Sequence, residues 1–166
     1  MNVELRTALD RVASRIRRAR LWSGLAACWL VWGVLAAVLT ALGPQPIALA
    51  VELAALAGLS GLVCAAFAIR SARDPLDVAR RIEANQPDLN AGLLTAVEGE
   101  LKAAPSERRG FLQQAVIDRA VEHGRAHDWA ESVIPQQRVA GARFAHAAAV
   151  CALAAAFGAL VVRGRQ

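Results

Sequence analysis

Much that would mark a soluble enzyme is missing from this sequence. Nowhere do apolar and polar residues alternate over the length of a strand, so no β-sheet is expected. Tyrosine is absent, aromatic residues make up 5% of the chain, and lysine occurs once, at Lys102. There is no phosphate-binding glycine loop, no nucleophile elbow and no paired-carboxylate arrangement, so no catalytic residue, cofactor site or metal site is assigned. Cys28, Cys64 and Cys151 have neither CxxC spacing nor a histidine partner and read as small apolar packing residues.

Charge is missing from whole stretches, and there the sequence becomes informative. The chain is 56% hydrophobic, and Ala, Leu and Val gather in blocks instead of recurring at core spacing. Leu21–Leu42 has no charge, Ile47–Ile69 has only Glu52, and Phe144–Val162 has only His146 as a titratable group apart from Cys151. At 1.5 Å of rise per residue each helix would reach roughly 28–35 Å, against a hydrocarbon core of about 30 Å. The expected class is an all-α membrane protein with three transmembrane helices. Its parts are a basic lead (1–20), spans at 21–42 and 47–69, a helical segment (70–143), a third span (144–162) and a tail (163–166). The polar lead and the long first block favour a retained anchor over a cleaved signal peptide.

Orientation follows from arginine. The lead holds six Arg against Glu4 and Asp10, the connection Gly43-Pro44-Gln45-Pro46 holds none, and Arg70 and Arg73 follow the second span. Basic residues stay inside, so the N-terminus and 70–143 are expected in the cytoplasm and the C-terminus outside a bacterial inner membrane. The short connection makes the first two spans an antiparallel hairpin. Although the net charge is +5, residues 70–143 carry 11 basic and 11 acidic side chains. A neutral segment without a one-signed face argues against nucleic acid as a partner.

Leu5, Leu9, Val12 and Ile16 form one stripe of a helix. It either lies in the inner headgroup region or packs on the middle segment as an extension of the first span. In that segment Asp74 before Pro75 predicts a capped helix with Leu76, Ala79 and Ile82 inward, fading at Asn85. A second helix is expected over Asn90–Lys102, burying Leu93, Leu94, Val97 and Leu101. Ser106 would cap a third, about Glu107–Asp128, burying Phe111, Leu112, Ala115, Val116 and Val121.

Few residues invite a functional reading. His123 and His127 stand at i, i+4, but Gly124 replaces the glutamate a zincin needs, so they read as a solvated face. Glu52 and His146 are candidate functional groups because ionisable residues inside spans commonly are, although both lie close to a span boundary. Trp29 and Trp32 share a face and read as helix-packing or lipid-facing residues. The small-residue pairs Ala54/Gly58 and Ala57/Gly61, with Ala147, Cys151 and Ala155, would let helices approach closely.

The stretch "DPLDVARRIEANQPDLNAGLLTAVE", the Arg-rich lead, the tight hairpin, a longer helix ending in "VIP" and the third span together carry a resemblance. They look like the N-terminal membrane module of certain large bacterial envelope proteins, a domain family of unknown function. The resemblance implies a long extracytoplasmic region rich in coiled coil after the third span, and genes neighbouring AAA ATPases and von Willebrand-type proteins. Here the sequence stops four residues after Val162, as in a truncated relative or an anchor module on its own. No catalytic residues are implied. The expected role is a non-enzymatic membrane anchor or assembly protein, whose partners are the lipid bilayer and either a protein or a second copy. One alternative is an anti-sigma-like module presenting 70–143 to a cytosolic partner. The other is an oligomeric transporter or channel component using Glu52.

Overall fold

The computed structural model describes residues 3–43, 46–71, 74–102 and 110–164. Among them the chain is all-helical, with seven α-helices, one 3-10 turn and no strand. They are α1 (Val3–Leu42), α2 (Ile47–Arg70), α3 (Pro75–Asn85), α4 (Gly92–Lys102), α5 (Phe111–Ala126), α6 (Trp129–Val133) and α7 (Gln136–Arg163). The chain divides into two compact units. One is built from Met1–Arg17 and Ala72–Gln136, the other from Arg18–Ser71 and Gln137–Gln166.

In the first unit the lead is core. Leu5, Leu9, Val12 and Ile16 are each at most 3% exposed and cluster with Val78, Ile82, Leu93, Val97, Ile117 and Trp129. Full burial of such side chains is worth about 1.5–3 kcal/mol each, which explains why the stripe packs on the middle segment. Asp74 opens α3 as its sequence predicts, accepting a hydrogen bond from the Leu76 backbone N–H at 2.9 Å. The helix buries Val78, Ala79 and Ile82, with Leu76 only half-buried.

Three expectations need correction. The helix placed at Asn90–Lys102 begins at Gly92, because Asn90 and Ala91 are left-handed, with φ of 45° and 60°. Its inward stripe is Leu93, Ala96, Val97 and Glu100, and Leu101, the residue after Glu100, is 52% exposed. On α5 the buried positions are Ile117 and Ala120, whereas Phe111 is 86% exposed and Ala115 is exposed. Val116 and Val121 do pack half-buried on the core, and α5 is followed by the short helix α6, which the expected helix to Asp128 did not include. The Trp129 ring of α6 lies over Gly124, where a Cβ would stand 3.1 Å away. Ser106, the expected start at Glu107, Pro44, Gln45, Arg73 and the last two tail residues lie outside the described residues.

The second unit contains the three apolar helices, each long and apolar enough to cross a membrane. Only 17%, 22% and 11% of their most apolar windows are buried. Leu30, Val31, Val34, Leu59, Leu62 and Phe67 all remain exposed, so these helices need an apolar surrounding. On α2 the buried residues are Ala50, Ala57, Gly61 and Ala68, one narrow stripe of small side chains. Along α1 and α7 the contacts rise in step: Trp22 with His146, Gly33 with Leu153, Thr40 with Arg163. Those two helices therefore run parallel.

Candidate functional site

The polar groups of the apolar helices are mostly spent on one another. Ser60 is the centre: its hydroxyl donates to the Ala57 carbonyl at 2.8 Å and accepts from Trp32 Nε1 at 2.8 Å. Cys28 Sγ lies 3.3 Å from the same oxygen. Trp29 packs on Gly61, the close approach that a residue without a side chain permits. Both tryptophans thus join α1 to α2, and sulfur contributes packing there. At one end of the α1–α7 pair, His146 packs on Trp22 with centroids 5.0 Å apart, and the Arg143 guanidinium lies 5.7 Å from the Trp22 centroid. A cation over an indole face is attracted by the ring quadrupole. At the other end Arg163 donates to the Thr40 carbonyl at 2.6 Å.

The structure does not bring the candidate residues into one site. Glu52 is exposed on α2, and His146 is half-buried beside Trp22, with Nδ1 lacking a hydrogen-bond partner among the described residues. Of the small residues, Ala57 and Gly61 are buried, whereas Ala54, Gly58, Ala147, Cys151 and Ala155 are exposed. Among the described residues no group of three or more His, Cys, Asp or Glu is arranged to hold a metal.

The first unit holds the denser chemistry. Arg15 donates to Glu131 at 2.7 Å and to the Ile134 carbonyl at 3.3 Å. Glu131 in turn accepts from the Gln136 backbone N–H at 3.0 Å, satisfying the first donor of α7. Glu83 likewise serves the first turn of α4, accepting from the Leu94 N–H at 2.8 Å. Arg125 Nη2 reaches both carboxylate oxygens of Glu4, at 2.6 and 2.5 Å.

His123 departs from the solvated face expected of it. Its ring stacks on exposed His127 with centroids 4.3 Å apart, and its Nδ1 accepts from Trp129 Nε1 at 3.0 Å. An indole N–H only donates, so the neutral imidazole carries its proton on Nε2. Nε2 is buried and has no partner among the described residues, a state that costs about 1–3 kcal/mol. Burial pushes the His123 pKa down, the charge on His127 pushes the same way, and Asp88 partly opposes them.

His123 also lines a cavity of about 350 Å3, together with Asp88, Leu89, Asn90, Val116 and Arg119. The sequence did carry a signal for the helix that positions this histidine. Asp128-Trp-Ala-Glu131 has the spacing of a helix start, and Asp128 does accept from Ala130 and Glu131 N–H at 3.0 and 3.2 Å. The cavity itself left no such trace; it lies beside the left-handed Asn90.

Fold and geometry define an all-helical chain with three helices fit to cross a membrane and a separate packed helical unit. No protein-family model matches the sequence, and no curated protein or solved structure is similar to it.

Proposed function

We propose that this is a three-span protein of the bacterial inner membrane, acting as an anchor or assembly component through contacts between helices. The reading is carried by one observation: Ala54, Gly58, Ala147, Cys151 and Ala155 stay exposed on helices whose surroundings must be apolar. In a bilayer, association of helices is favoured where small residues allow close approach. These uncovered faces suit a helix of a partner or of a second copy. The first two spans form a hairpin with its turn outside, and the first unit lies in the cytoplasm on the arginine-rich side. The parallel run of α1 and α7 supports an odd number of crossings, with the tail outside. The resemblance to the envelope-protein membrane module fits the same role.

Exposed Cys151 provides the test. Mild oxidation of native membranes should give a disulfide-linked adduct of this chain that disappears in Cys151→Ala and persists in Cys28→Ala. Isolated monomer alone under all oxidising conditions would remove the assembly role.

A second reading, a membrane-tethered module binding a cytosolic protein, is favoured by the first unit having a core of its own. For transport through Glu52 the support is its exposed position alone.

A further inference from the structure

Within the second unit, α1 and α2 set two thiols against each other. Cys28 Sγ on α1 lies 3.3 Å from Ser60 Oγ on α2, and Cys64 stands one turn beyond Ser60. Cys28 and Cys64 are hydrogen-bonded to each other, and both are half-buried. The hydrogens available fix the direction of these bonds. Ser60 has one hydroxyl hydrogen, which goes to the Ala57 carbonyl, while its oxygen accepts from Trp32 Nε1. The Cys28 S–H therefore donates to Ser60, and the Cys28 sulfur accepts from the Cys64 S–H. Buried Ala57 and Gly61 let the two backbones come close at this level.

Two features separate this pair from thiols that only fill space. A lone pair of one sulfur already faces the other sulfur, and both are held on packed helices, which gives the pair a high effective concentration. Depth is the second feature. Cys28 lies eight residues past Arg20 and Cys64 six before Arg70, or about 12 and 9 Å of helix rise. On the reading that α1 and α2 cross a membrane, the pair sits in hydrocarbon, where a charge is costly. A disulfide is neutral and has no donor, so forming one leaves neither a charge nor an unsatisfied group. Two thiolates on a monovalent metal ion would leave a net negative charge. For a divalent ion no third His, Cys, Asp or Glu is at hand among the described residues.

We propose that Cys28 and Cys64 form a reversible dithiol–disulfide couple, oxidised by a lipid-soluble quinone. Two S–H bonds break and one S–S bond forms between α1 and α2. The two electrons and two protons pass to the quinone, which leaves as the quinol. Charged oxidants of the glutathione type do not enter hydrocarbon, whereas a quinone dissolves there and takes up both electrons and both protons. The disulfide would staple the hairpin at the end flanked by Arg20 and Arg70.

The test uses the full chain carrying Cys151→Ala, reduced and reconstituted in phosphatidylcholine vesicles without oxygen. A short-chain ubiquinone, whose ring has no free position for thiol addition, is the oxidant. Thiols are then counted by denaturing the protein in detergent and tagging with a polymer-linked maleimide. Two tags per chain are expected before the quinone and none after it, with one quinol formed per chain and both tags restored by dithiothreitol. Cys28→Ser and Cys64→Ser, each in the same background, should keep their remaining tag and form no quinol. Three results would overturn the proposal. They are two tags retained by inserted protein after the quinone, tags lost only in a covalent dimer, or as much quinol from the serine variants. Without Cys151 the adduct expected of the assembly role cannot form, so the two readings fail separately.

Discussion

His123 carries the clearest residue-scale consequence. Its pKa in the folded protein lies below the ordinary 6.5, so as the pH falls the unfolded chain takes up this proton first. Its contribution to stability is therefore fully present above about pH 6.5 and is lost as the pH falls through the lower folded value. Thermal unfolding followed from about pH 7.5 down to about pH 5.5 should show a falling midpoint. His123→Gln, which can still accept from Trp129, should flatten that part of the profile; an unchanged slope would mean that protonation of His123 is not what the fold resists. From the sequence this histidine looked like half of a solvated pair. The two rings do stack, although His127 stands just past the end of α5 in extended backbone. Spacing alone had no way to announce that Trp129, arriving from a separate helix, would take the Nδ1 lone pair.

For elements, spacing and caps were read well where local rules operate, and less well where a neighbour decides. Asp74-Pro75 marked the start of α3, and the apolar blocks marked the ends of α1 at Leu42 and the start of α2 at Ile47. On α4 the expected Leu93 and Val97 are buried and Leu94 packs on the core, as Val116 and Val121 do from α5, whereas Leu101, Phe111 and Ala115 face out, because hydrophobic periodicity leaves a choice of adjacent stripes and packing makes it. Leu101 therefore points outward while Glu100 is buried. The lead helix is the sharper case. Its stripe was legible, but whether lipid headgroups or protein would cover it was not. Ile16, at 1% exposure, now offers the test. Ile16→Ala should destabilise the first unit by about 2–5 kcal/mol, measured as a lower denaturant midpoint. Val3→Ala, at a position 77% exposed, should stay within about 0.5 kcal/mol. Equal, small effects from both would mean that the stripe is not part of the core.

On the scale of the whole molecule, an uncharged apolar run is so strong a constraint that three long helices could be counted from sequence alone. Their insertion order gives a prediction. A reporter active only outside the cytoplasm should be active when fused after Gln166 and silent after Glu100. Activity at neither position would mean that α7, the most Ala-rich of the three, does not cross, and the tethered-binder reading would then replace the anchor. What the sequence hid at this scale is that the packed unit is discontinuous: a lead and a middle segment, parted by two apolar helices, share one core. Periodicity says which face of a helix is buried, never against what. The excised segment 70–143 would accordingly lack one wall of its own core, and a faithful soluble version must join the lead to it.

That discontinuity also has a dimension in time. Glu4 and Arg125 pair across 121 positions of sequence, and the residues between them must be synthesised before the contact can form. At roughly 5–20 residues per second, the lead helix waits on the order of 6–24 s for its partner. For the first part of that interval, until Val78, Ile82, Leu93 and Val97 have been made, Leu5, Leu9, Val12 and Ile16 have no native surface to meet, while the first two apolar helices are already leaving the ribosome. Each newborn chain therefore passes through a stage in which one half of its core exists before the other half has been made.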